Sequence, residues 1–515
     1  MDVTRSRSGI SANLLIGVLS TAWSAIIGII AIRWYVQLLG IESYGLIGFY
    51  ATMQAAISIL DLGLGATVNR EVARGVALDD LSRVNRMIHS LQAIYGGVAL
   101  LIGATVFVAA PFIAHRWLGA SAIDSHVVEW SIRLMGVIAA VRWPIGLFQG
   151  ALVGLQRSRV SYQITATMTT ISNVGAIVLL YAVSPTLWTY FGWQVACSLV
   201  NLLWMRHSAW RELGTRSAQR IDADLLRALL IQSVMISGVA VSGLLLSQLD
   251  KLVVSGFAPL ADFGRYSLAG MIASALVILL IPTFNVIYPR MSGLAAAGKT
   301  DELVAFYRLG TRVLMCGLIP VSASAVFYAY DLLFVWTGNA SLAAATAPIV
   351  RLLIVGSTLN GIMHFPYTVQ LATAHERLAL YINLLLIAVM VPATLMLASR
   401  YGIVGGAIGW IAQQSLYFVV GVTITHRFIL KGLAFRWLFV DLVPPVLGGI
   451  AVVAGGRYLA ALMTDAPVVR LLVASVAAIV AVLAITLVRT DTRTLYNHLR
   501  RSAFGRNGAG ANATA

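Results

Sequence analysis

Charge is what this sequence has little of. Only 11% of its 515 residues are Asp, Glu, Lys or Arg, whereas a soluble chain carries about 25%. That shortage excludes an ordinary water-facing surface. Acidic residues are scarcer still, 20 against 36 Lys and Arg. Cysteine is nearly missing: Cys197 and Cys316 lie in apolar runs as packing residues, so neither a disulfide framework nor a metal site is expected. No long polar stretch could make an external catalytic domain, the longest external loop being about 15 residues around HRWLGASAIDSHVV. No Walker motif or nucleotide-binding glycine loop occurs, so ATP is not the direct energy source and no cofactor is expected.

What is present is apolar. Hydrophobic residues make up 59% of the chain and mean hydropathy is +0.85. Apolar runs of about 20 residues recur, the length that crosses a bilayer as a helix. The sequence predicts an all-α membrane protein with fourteen spans, at 12–38, 44–67, 88–111, 127–155, 162–183, 187–206, 229–257, 264–288, 311–331, 347–370, 379–398, 402–426, 438–460 and 467–488. The first is too long for a signal-peptide core and reads as a retained span.

A net charge of +16 would suggest nucleic acid in a soluble protein, but topology accounts for it here. Of the 36 basic residues, 26 fall in the alternate segments that share a side with the N-terminus and five on the other side. By the positive-inside rule both termini are cytoplasmic. The final RNGAGANATA is small and polar and reads as disordered.

The spans also repeat. LLGIESYGLIGFY (38–50) matches APLADFGRYSLAG (258–270), with Gly45 and Gly264 at equivalent places. Arg70 and Arg290, Gln149 and Gln370, and Arg157 and Arg377 keep nearly the same offset of about 220 residues. The expected organisation is a six-helix bundle (1–206), a cytoplasmic linker (207–227), a second six-helix bundle (228–427), two further spans (428–488) and a cytoplasmic tail (489–515). The repeats run parallel, about an axis along the membrane normal.

These segments, with LDLGLGATVNREVARG, SQLDKLVVSGF and IYPRMSGL, resemble the Wzx-type polysaccharide and O-antigen flippases. Their superfamily also holds the multidrug and toxin extruders and the lipid II flippase. The resemblance implies two bundles around a central cavity, alternating access and an undecaprenyl-diphosphate-linked oligosaccharide as substrate. It further implies a bacterial inner-membrane setting, membrane lipids as surroundings, and a polysaccharide polymerase among the assembly partners. Drug extrusion, lipid II flipping and a membrane polymerase or ligase stand as alternatives.

Five cations lie inside spans: Arg33, Arg133, Arg142, Lys251 and Arg351. Each costs about 2.5–3.5 kcal/mol at the bilayer centre on insertion scales. A diphosphate is an anion they could hold, arginine by its fork. Arg33, Arg142 and Lys251 are the leading candidates to line the cavity. The alternative is snorkelling to headgroups, and Arg133 has Glu129 one turn away as a partner. Arg142 lies too deep to snorkel easily. It could share a cavity with Arg133 only if Pro144 kinks the span. Asp61 and Asp250 are candidates for coupling to a proton or sodium ion, or for pairing with a cation. Trp143, Trp34 and Tyr35, beside arginines, could stack on sugar rings or serve as packing and interface residues.

Overall fold

The computed structural model describes residues 3–61, 63–214 and 223–488. Among them, β structure is limited to one isolated bridge between Gly119 and Pro259. Apolar segments dictate this outcome, because a helix satisfies its own backbone groups without water. The expected tail and residues 215–222 of the expected linker lie outside the described residues.

The helices run in order as α1 (Val3–Leu39), α2 (Ile41–Ser58), α3 (Leu64–Ala77), α4 (Leu81–Phe112), α5 (Ser125–Arg142), α6 (Ile145–Gly154) and α7 (Ser158–Ala182). They continue as α8 (Leu187–Leu213), α9 (Ala223–Phe257), α10 (Leu260–Ser274), α11 (Val277–Ala296), α12 (Thr300–Phe327) and α13 (Ala329–Thr337). The last are α14 (Ala340–Ile362), α15 (His364–Ala372), α16 (Glu376–Phe428), α17 (Ala434–Arg436), α18 (Val443–Met463) and α19 (Pro467–Val488). Eleven helical stretches among the described residues are long and apolar enough to cross a membrane, so the chain is a multi-pass membrane protein. One of them, α16, takes in two expected spans and leaves helical backbone at Gly402, φ 55° and ψ −130°. The expected spans 187–206 and 264–288 fall on α8 and on the α10–α11 pair, outside those eleven.

The chain forms two compact units. The first is Met1–Ser267 with Thr394–Gly406, the second Leu268–Ala393 with Ala407–Ala515. The division does not follow the 207–227 linker, because α9 packs on α2, α3 and α4 and belongs to the first unit. In that unit α1 lies along α7, α7 along α8, α4 along α5 and α3 along α6. A core of Tyr95, Phe148, Leu91 and Met205 fills the space between α4, α6 and α8.

In the second unit α12 is the hub, touching α11, α14, α18 and α19. Two buried carboxylates fasten its last helices. Asp441, in a π-helical turn (Trp437–Leu442) before α18, receives Arg308 at 2.6 Å and Arg312 at 2.5 Å. Asp331 on α13 receives Arg457 of α18 at 2.9 Å, with Arg470 of α19 at 3.7 Å. Both carboxylates are fully buried, which a charge tolerates only when paired.

Candidate functional site

Two polar stripes cross otherwise apolar helices of the first unit. On α8, Gln194, Ser198 and Asn201 recur at spacings of four and three. On α7, Thr165, Thr169, Ser172 and Asn173 do the same. Those spacings put each set on one helix face. Because α7 packs on α8, the stripes meet.

Pro144 supplies the third element. It carries no N–H, so helix α5 ends at Arg142 and α6 restarts at Ile145. Arg142 therefore occupies the last turn of α5, where unpaired carbonyls give partial negative charge that favours a cation. Its Nε donates to Ser198 Oγ at 2.9 Å and its Nη2 to Gln194 Oε1 at 3.2 Å. The same Gln194 oxygen accepts from Ser172 Oγ at 2.8 Å, which orients the amide. The guanidinium carbon lies 5.9 Å from the centre of the Tyr50 ring. No carboxylate pairs with Arg142 among the described residues.

These groups line a cavity of about 470 Å³ inside the first unit, within the range of roughly 300–1,000 Å³ typical of small-ligand sites. Tyr50 and Tyr190 supply aromatic wall, and Gln149 of α6 adds an amide. Its lining contains a single charged residue, Arg142. The site can meet one negative charge and hydrogen-bond several neutral polar groups.

A family model described as polysaccharide biosynthesis protein matches residues 10–295. The chain belongs to this family. No curated protein sequence matches it. Among solved structures, this family member is similar to the lipid II flippase MurJ in an inward closed conformation. The TM-score there is 0.69 at 13% identity, covering 92% of this chain and 100% of that one. It is also similar to an inward-facing multidrug resistance transporter of the MATE family and MOP superfamily, with TM-score 0.67, 14% identity, and coverage of 79% and 96%. A third is a MOP superfamily transporter from Pyrococcus furiosus, whose binding pocket is described as having reversed polarity. Its TM-score is 0.55 at 14% identity, with coverage of 81% and 95%. At these identities the likeness is one of fold: this family member shares the helical fold of those transporters.

Of the five intramembrane cations, Arg142 alone lines this cavity. Arg33 and Arg351 have exposed side chains and no partner among the described residues. Lys251 donates to the carbonyl of Ser247 at 3.2 Å and lies 4.0 Å from Asp250 Oδ1. Arg133 pairs with Glu129 at 2.5 Å and lies over the rings of Trp130 and Phe107. It is an ion pair outside this cavity, and its buried Nε makes no hydrogen bond.

The acids divide as well. Asp61 sits at the break between α2 and α3, accepting from Tyr95 Oη at 2.8 Å and from the backbone N–H of Gly65 at 3.2 Å. Both its oxygens serve the chain's own structure. Asp250 is buried and accepts from Tyr266 Oη at 2.5 Å, while its other oxygen makes no hydrogen bond.

The residues expected to contact sugar lie outside the lining of this cavity. Tyr35 is buried, and its hydroxyl donates to Asn173 Oδ1 at 3.1 Å. It stands behind the cavity wall and sets the amide that lines it. Trp143 packs into the core beside Tyr95, with ring centres 6.0 Å apart; it is core, outside the cavity lining. Trp34 is exposed, outside the lining too. Sequence reasoning missed Gln194, Ser198 and Asn201, although their spacing on α8 was available as a signal.

Proposed function

We propose that this protein is a flippase. It carries an undecaprenyl-diphosphate-linked oligosaccharide from the cytoplasmic to the outer leaflet of the bacterial inner membrane. Fourteen spans, two pseudo-symmetric six-helix bundles, cytoplasmic termini and alternating access about a shared pathway complete the reading. A polysaccharide polymerase in the same assembly line would receive the product. Family membership and a MOP-type fold support transport of a lipid-linked substrate.

One observation carries the choice of substrate charge. Arg142 presents an unneutralised guanidinium in a polar cavity, and an arginine without a paired carboxylate attracts an anion. The same cation repels the positively charged drugs that a cation-coupled extruder would carry, which disfavours that alternative. Of the two candidate carboxylates for ion coupling, Asp250 is the better placed, because Asp61 is engaged on both oxygens.

The test is reconstitution. Proteoliposomes holding the purified protein and a fluorescent undecaprenyl-diphosphate-linked oligosaccharide should move label between leaflets, scored by accessibility to an impermeant quencher. Movement equal to protein-free vesicles would end the flippase reading. Imposed pH and sodium gradients, applied to wild type and Asp250→Asn, identify the coupling ion.

A further inference from the structure

We infer that the segment 113–124, between α4 and α5, is a latch on the outer side of the protein. It straps the first repeat to the α9–α10 turn of the second and must release before α2 and α10 can part. The inference deepens the flippase reading and rests on it for the outer side and for the motion.

Two hydrogen bonds cross between the repeats. Trp117 Nε1 donates to Ser255 Oγ of α9 at 3.0 Å, and the N–H of Leu260, the first residue of α10, donates to the Gly119 carbonyl at 2.9 Å. Gly119 thereby forms the isolated parallel bridge with Pro259. The Trp117 ring covers α9 so closely that a Cβ on Gly256 would lie 3.1 Å from it. Leu260 joins the strap to the helix crossing, since its carbonyl lies against Gly45 of α2. The strap thus fastens the end at which α2 meets α10. It also ties α9 into the first compact unit, although the repeat assigns α9 to the second half.

Glu42 gives the strap its shape. From the first turn of α2 its Oε1 accepts the N–H of Ser121 at 2.6 Å and that of Ala122 at 3.1 Å, and its Oε2 accepts the Ala122 N–H at 3.1 Å as well. No basic side chain pairs with this carboxylate among the described residues. The repeat shows that the position has no fixed duty. Asp262 stands 220 residues after Glu42 and pairs with Arg265 on its own helix. The first-half acid holds a loop, whereas its counterpart holds its own helix.

The segment is also built to move. Helix α4 carries Pro111 in its last turn and leaves as a π-helical turn, Ile113–Trp117, so regular helical bonding is interrupted where the strap begins. Asp124 caps α5 at the other end, accepting the N–H of His126 at 2.8 Å, which fixes where that helix starts. Gly119, Ser121 and Ala122 are exposed, so water can take over their hydrogen bonds as the strap lifts. The fully buried Asp441 has no such replacement. A contact whose partners can pass to water suits one that is made and broken in each cycle.

A disulfide across the strap tests this. Gly119→Cys and Pro259→Cys are combined in a Cys197→Ser/Cys316→Ser background. A Cβ on Gly119 would lie 3.6 Å from Pro259 Cα, close enough for the bond to form. Proteoliposomes of the oxidised pair should move labelled lipid-linked oligosaccharide at least tenfold more slowly than wild type, and dithiothreitol should restore the rate. Unchanged transport by the oxidised pair would overturn the latch. A second measurement does not depend on transport. Ser255→Cys, buried beneath Trp117, should react slowly with an impermeant maleimide added to the outer face of right-side-out vesicles. Adding Glu42→Ala or Trp117→Ala should speed that labelling at least fivefold, and equal rates would overturn the latch too. If the cysteine pair is inactive even when reduced, the labelling rates decide. If wild type itself moves no lipid, the flippase reading falls and the same rates judge the latch alone.

Discussion

Gly45 and Gly264 meet where α2 crosses α10. A Cβ on Gly45 would lie 2.2 Å from the carbonyl oxygen of Leu260, and one on Gly264 would lie 2.3 Å from that of Ile41. The relation is reciprocal, and it repeats one turn on, where a Cβ on Gly48 would lie 2.2 Å from Ser267 Oγ. Gly45 with Gly264 and Gly48 with Ser267 share one sequence offset, so residues equivalent in the repeat touch each other. Small residues permit this approach, as in membrane helix pairs generally.

Gly45→Ala should therefore force the two helices apart. Overpacking of this kind costs about 1–3 kcal/mol, and thermal unfolding in detergent should show a lowered midpoint. Gly28→Ala, where nothing lies within 4 Å, should leave the midpoint unchanged. Equal midpoints for all three proteins would contradict the crossing.

Arg142→Ala should lower transport of labelled lipid-linked oligosaccharide at least tenfold while protein still reaches the membrane. That size follows from the roughly 1.5–3 kcal/mol of a hydrogen bond to a charged group. Immunoblotting of membrane fractions beside the quencher assay separates lost activity from lost protein. Wild-type rates in this variant would remove Arg142 from the site.

Tyr35→Phe removes one hydrogen bond to Asn173 and leaves the buried ring in place. A change of about 0.5–1.5 kcal/mol is expected, seen as a mild loss of transport. Asn173→Ala, which alters the cavity wall itself, should lose more. The reverse order would mean that the Tyr35 hydroxyl contacts cargo.

Asp441→Asn leaves Arg308 and Arg312 facing each other without their anion. Breaking a buried pair from one side costs about 3–5 kcal/mol. Thermal unfolding should show a larger loss of stability than Gly45→Ala or Tyr35→Phe produces. Triple replacement with Met at 308, 312 and 441 should recover much of it, because the apolar set strands no charge.

How much of this was legible in the sequence differs from residue to residue. Span positions follow from the scarcity of charge, and the Gly45–Gly264 repeat was visible as a shared offset. Arg142 stood out because it lies deep in an apolar run. Its partners did not. Gln194 and Ser198 are neutral, and only the packing of α7 on α8 makes their stripe a wall. Trp143 and Tyr35 differ from Arg142 for separate reasons. Adjacency in sequence places neighbours about 100° apart on a helix, so Trp143 points away from the cavity that Arg142 lines, and Tyr35 lies near Arg33, which is itself outside that lining. The Asp441 and Asp331 pairings join residues more than 120 positions apart, and periodicity carries no information over that distance.

Those two aspartates have a consequence for the pair α18–α19. They rivet it to α12 and α13 through Asp441 on one side of the contact and Asp331 on the other. A chain cut short after α16 would take Asp441 from Arg308 and Arg312, and Arg457 and Arg470 from the buried Asp331. The last two helices are thus an integral brace of the second unit, and a deletion that removes them would have to neutralise those three side chains as well.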